Sequence, residues 1–106
     1  MAGAKVVLVM GHTKCGAVKG AIDNVELGNL TGLLGKIRPA VEAATFSGER
    51  SGKNYAFVDA VARKNVELTI SEIKKGSPML AEMADAGKIK FVGGMYDISN
   101  GMLDIF

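Results

Sequence analysis

The sequence has one cysteine, one histidine, two prolines and no tryptophan, and each shortage closes a route. A single cysteine rules out an intrachain disulfide, so this is not a stapled secreted module, and a reducing, cytoplasmic setting is expected. No apolar run approaches the roughly 20 residues that a helix needs to span a bilayer, and the longest, Val6 to Met10, is a strand-sized piece. The opening MAGAK has neither the basic start nor the long apolar stretch of a signal peptide. The net charge is only +2 and acids and bases are interspersed. Without a basic stripe carrying aromatics, neither nucleic acid nor membrane is an expected partner. What is present, 48% apolar and 23% charged residues over 106 positions, describes an ordinary globular chain. It is read as one domain over residues 1–106, near the lower size at which a chain buries its own core.

Val6 to Met10 is continuous, rich in β-branched residues and stopped by Gly11, the pattern of a parallel strand covered on both faces. Residues 15–22 then carry alanine and valine at helical spacing. Residues 24–35 are punctuated by glycine and read ambiguously. A helical pattern resumes around Pro39, which should kink it or begin a new helix. Residues 46–54 are polar and glycine-containing, an exposed loop. Phe57, Val58, Val61, Val66, Ile70 and Ile73 mark a long amphipathic helix, closed by Lys74, Lys75 and Gly76. Ser77 and Pro78 cap and open a short helix that Gly87 ends. Residues 88–98 read as a strand, Ser99-Asn100-Gly101 as a tight turn and residues 102–106 as its return. The fold class is therefore α/β: a parallel strand pair joined by a right-handed helical crossover, plus an antiparallel C-terminal hairpin strand. The six methionines are read as core packing, and Arg38, Arg50 and Arg63 as solvated charges.

Chemistry concentrates between Gly11 and Gly16. The G-x-x-x-x-G spacing suits a phosphate loop, but Ala17 and Val18 stand where a lysine and a hydroxyl are required. A cysteine-phosphatase loop needs an arginine where Ala21 lies, and a redox C-x-x-C needs a second cysteine. Zinc fits better: imidazole and thiolate are among its preferred donors, and a three-residue offset on a turn lets His12 and Cys15 reach one ion. A packing cysteine beside a turn histidine fits the spacing equally well.

VVLVMGHTKCGAVKGAI resembles the metal-site strand and turn of β-class carbonic anhydrases, with the G-H-x-x-C-G-A signature intact. NVELTISEIKKGSPML resembles that family's long helix and the short helix after it. GKIKFVGGMYDISNGMLDIF resembles its closing strand, tyrosine and hairpin, and AGAK the end of its preceding helix. The resemblance covers essentially the whole chain. It implies a truncated β-carbonic anhydrase-like fold and a zinc enzyme that hydrates carbon dioxide to bicarbonate. It makes His12 and Cys15 metal ligands, with no further catalytic residue in these 106 positions. Tyr96 matches a position tied in some members to a regulatory bicarbonate site, and is read here as structural.

The departures are as informative. The family's other zinc cysteine lies in a C-x-D-x-R motif, whose aspartate and arginine flank the metal, and these 106 residues contain no such motif. Met1 falling inside a family helix leads to the expectation of an internal start or a truncation. The isolated chain is accordingly expected to be impaired, with a non-catalytic assembly module as the alternative. In the family the strand of Val6 to Met10 is internal; here it should be an edge, so a homo-oligomer paired through that edge is expected. Two copies could also pool two His12 and two Cys15 around one structural zinc.

Overall fold

The structure, a computed structural model, describes residues 5–26 and 28–106; the match of AGAK falls on residues 2–5 and so lies, Lys5 apart, outside the described residues. The elements in chain order are β1 (Val6–His12), α1 (Gly16–Ile22), α2 (Leu30–Ala43), α3 (Tyr55–Gly76), α4 (Pro78–Asp85), β2 (Lys90–Asp97) and β3 (Met102–Ile105). The strands form one sheet in the order β1-β2-β3. β1 pairs parallel with β2, from Val6 opposite Lys90 to His12 opposite Tyr96. β3 returns antiparallel, with Gly94 opposite Ile105 and Asp97 opposite Met102. The parallel pair and the antiparallel return are as the sequence pattern requires.

α3 carries the core. Its buried stripe of Phe57, Val58, Val61, Ala62 and Val66 follows helical spacing and packs against β1, β2, α1 and α2. α2 contributes Leu34, Ile37 and Ala40, three residues apart, with Ala44 just beyond its end. Close approach of α3 to the sheet depends on two glycines. A Cβ on Gly11 would stand 3.1 Å from Val66, and one on Gly93 would meet Phe106 at 2.9 Å and Val66 at 3.1 Å. Ser77 caps α4 by accepting a hydrogen bond from the Leu80 N–H at 3.3 Å, ahead of Pro78 in the first turn.

Four readings of the sequence are corrected. First, β1 does not stop at Met10: Gly11 and His12 stay in register with Met95 and Tyr96, which carries the strand to His12. Second, among the described residues β1 is covered on one face only: its residues alternate between exposed and half-buried, because α3, the helix packed on it, lies on one side. Third, of the two outcomes expected at Pro39, a new helix does not begin there: α2 runs through it as one helix. The ring removes the bond that Pro39 would give to the Gly35 carbonyl, but Gly35 and Pro39 are both exposed, so water can serve the orphaned carbonyl. Fourth, not all methionines are core: Met10, Met79 and Met102 are more than half exposed, whereas Met95 is buried.

Two arginines likewise do more than solvate a face. Arg50 donates to the carbonyls of Val41 at 2.7 Å and Ala44 at 3.1 Å, satisfying the end of α2, and lies 4.6 Å from the Phe57 ring centre. Arg63 stacks 3.8 Å from the Phe106 ring and pairs with Asp104 at 3.2 Å. No helix among the described residues is long and apolar enough to cross a membrane.

Candidate metal centre

His12 ends β1 and Cys15 immediately precedes α1, and the structure brings both to one cleft of about 280 Å³. Its other walls are Ile37 of α2 and Ala62, Asn65, Val66 and Thr69 of α3. The turn between the two donors is held from both sides. The Thr13 N–H donates to the Tyr96 carbonyl at 3.0 Å and the Thr13 hydroxyl accepts from the Ile98 N–H at 3.1 Å, fixing the turn to β2. The Lys14 N–H donates to the Asp59 carboxylate at 2.9 Å, fixing it to α3.

Lys14 takes a positive φ of 54°, a left-handed conformation that costs a non-glycine residue on the order of 1 kcal/mol. The Asp59 hydrogen bond holds that conformation, and the reversal it creates separates His12 from Cys15. Asp59 was not a candidate from sequence, and a lone carboxylate in the second turn of a helix carries no signal of its partner 45 residues away.

His12 is exposed. Its Nδ1 lies 2.8 Å from the Thr13 carbonyl oxygen. A carbonyl can only accept, so Nδ1 carries the hydrogen, and in the neutral ring Nε2 then holds the lone pair, the tautomer suited to a metal ligand. Cys15 is half-buried and unbridged, and its side chain makes no capping bond to α1, so its sulfur is not committed elsewhere.

The donor count is the constraint. A catalytic zinc takes three protein ligands and a structural one four, yet no group of three or more His, Cys, Asp or Glu residues is gathered among the described residues. His12 and Cys15 offer two donor atoms, fewer than either kind of site needs, and the described residues by themselves do not fit a catalytic zinc.

Asn65 is the cleft residue whose part the sequence left unassigned. It interrupts the apolar stripe of α3 between Ala62 and Val66 and lines the cleft with Thr69. A polar residue on an otherwise buried stripe is the signal that could have marked it. Tyr96 lies opposite His12 in register and is 37% exposed. Asp97, one residue on, accepts from the Ser99 hydroxyl at 2.6 Å and the Ser99 N–H at 2.9 Å. These bonds hold its carboxyl below the ordinary 3.8, with smaller help from the Lys14 charge and the Thr13 hydroxyl.

Comparison with known proteins gives a consistent result. The carbonic anhydrase family profile matches residues 1–103. A carbonic anhydrase of Mycolicibacterium smegmatis is 28% identical over 103 residues, covering 94% of this chain and 48% of that protein. Carbonic anhydrase 2 of Mycobacterium tuberculosis is 30% identical over 99 residues, covering 91% of this chain and 46% of that protein. The crystal structure of the β-carbonic anhydrase CafA of Aspergillus fumigatus superposes with a TM-score of 0.78 at 31% identity, over 96% of this chain and 48% of that one. The chain thus spans about half the length of the relatives it matches. By sequence and by fold, it belongs to the carbonic anhydrase family and has the architecture of the β class.

Proposed function

We propose that this chain carries half of a β-carbonic anhydrase centre: His12 and Cys15 are two of the zinc donors for the reversible hydration of carbon dioxide, and the isolated 106-residue chain is impaired in that reaction. The observation that carries the reading is the pairing of a His12 whose Nε2 is free with an uncommitted Cys15 at one cleft, in a chain of this family. The impairment follows from the donor count, since the 106 residues contain no other histidine or cysteine. Without a third protein ligand the metal would be weakly held. The mostly apolar cleft wall of Val9, Val18, Ile37, Ala62 and Val66 suits a small nonpolar substrate such as carbon dioxide and limits water around the donors.

The alternative is a non-catalytic assembly module that self-associates or complements a separate chain bearing the missing ligands. That β1 pairs with β2 alone among the described residues favours it. Zinc content per chain, measured beside stopped-flow carbon dioxide hydration, separates the two. The isolated chain is expected to bind zinc weakly, to lose that binding in Cys15→Ser, and to hydrate carbon dioxide near background. Adding a polypeptide that carries a C-x-D-x-R segment should raise both, in a manner abolished by His12→Ala. No rise on addition would leave the assembly module. One firmly bound zinc per isolated chain with rapid hydration would overturn the impairment.

A further inference from the structure

We propose that Asp59 is a positioning residue for the His12–Cys15 pair: its hydrogen bond to the Lys14 N–H, 2.9 Å long, holds the turn in its left-handed form before any metal arrives and registers both donors against α3. The part concerning metal rests on reading His12 and Cys15 as zinc donors; the part concerning the turn does not.

Only Thr13 and Lys14 stand between the two donors. Thr13 is tied to the β2 side, through its N–H to the Tyr96 carbonyl and its hydroxyl to the Ile98 N–H. The reversal therefore falls on Lys14, whose φ of 54° is one that lysine avoids in a free chain. Such a conformation persists only where its surroundings hold it. Lys14 meets α3 twice. Its N–H reaches the Asp59 carboxylate, and its ammonium lies 5.4 Å from the Tyr55 ring centre. Tyr55 and Asp59 are four residues apart and share one face of the helix. The ammonium ends a long flexible side chain and leaves the backbone free to turn. The bond to the N–H does not, because it grips the peptide unit at one end of the φ torsion and has an ionised acceptor.

Asp59 has no competing task among the described residues. The ion pairs there join Arg63 with Asp104 and Lys64 with Glu67, and Asp59 belongs to no group of three or more potential metal ligands. It acts through Lys14, not on a metal. Its place in the helix adds a second consequence. Ala62, Asn65 and Val66, further along α3, line the cleft that the donors face. One rigid helix thus anchors the donor turn and supplies the opposite wall. Loss of the Asp59 bond frees the donors from each other and from that wall together.

The test uses the whole chain, first without metal. In NMR spectra a strong intraresidue NOE between the Lys14 N–H and Hα reports the positive φ, and slow exchange of that N–H reports its bond. Both should be present in the native sequence, kept in Asp59→Asn, whose amide oxygen still accepts, and lost in Asp59→Ala. Asp59→Leu, of similar shape to Asp59→Asn but without an acceptor, replaces Asp59→Ala if that variant fails to fold. Zinc alone is then titrated. Apparent affinity falls with the fraction of chains that hold the turn, on the order of tenfold for an unsupported left-handed lysine. Lys14→Gly removes the conformational cost, so in that background Asp59→Ala should weaken zinc by less than about twofold. A contribution of Asp59 through its charge or through α3 would be lost equally in both backgrounds, and that result overturns the proposal. So does a left-handed signature at Lys14 that survives Asp59→Ala. No zinc binding by the native chain would instead sink the reading of His12 and Cys15 as donors, and the metal-free spectra would still decide whether Asp59 holds the turn.

Discussion

Along β1, alternate residues meet opposite fates. Val7, Val9 and Gly11 turn toward α3, joined from β2 by Gly93 and Met95, and that side is filled until glycine is needed to admit Val66. Val6, Leu8 and Met10 turn the other way, joined in register by Tyr96, Leu103 and Ile105, and all six are more than a third exposed. Both faces are built from apolar residues, so composition does not separate them. What differs is whether a helix lies above.

The covered side should break most easily. Phe57 is fully buried, 5.2 Å from the Phe46 ring centre and beneath the Arg50 guanidinium. Phe57→Ala is expected to cost about 3–5 kcal/mol, against a total of roughly 5–15 kcal/mol for a typical small domain. Urea midpoints at fixed protein concentration would read the loss; a change below about 1 kcal/mol would mean that this cluster does not anchor the core.

The comparison itself is sharpened by one substitution made on adjacent residues. Val9→Lys must place an ammonium beneath α3 and should destabilise by about 1–3 kcal/mol, while Met10→Lys enters solvent and should stay within about 0.5 kcal/mol. Both should be measured at low concentration, where association does not add to apparent stability. Equal effects would show that the two faces are not distinct in solution.

Much of this was legible in the residues. The caps at Ser77 and Gly87, the 55–76 helix and the Asn100-Gly101 turn are local signals whose chemistry lies within a few positions, and each is found where expected. His12 and Cys15 were legible as a pair because their spacing is local too. The exposure of one face of β1 was not, since an unbroken apolar run reads the same whether one side is covered or both. Nor were the roles of Asp59, Arg50 and Arg63, whose partners are set by tertiary contacts: 45 residues away for Asp59, 41 for Arg63. For Arg50 the partners are the carbonyls at the end of a helix. At Pro39 the expectation of a new helix failed because the rule against proline inside a helix concerns a bond that water can replace on an exposed face.

The smallest expected effect lies in the turn beyond the open face. Ser99 donates twice to the Asp97 carboxylate, which favours the ionised form and keeps its pKa below 3.8 in the folded chain. The unfolded chain, with the ordinary value, binds that proton more readily. The stabilisation is therefore complete above 3.8 and disappears as pH falls through the lower folded value. Asp97→Asn removes the titrating group, so the difference in urea midpoint between the two proteins should be constant at neutral pH and shrink in acid. Asp97 is half-buried at the end of β2, and salt should narrow the share contributed by Lys14 and leave the Ser99 hydrogen bonds unaffected. A difference that grows on acidification would mean that Ser99 does not hold the carboxylate, and that the turn owes its shape to Gly101, with its φ of 74°, instead.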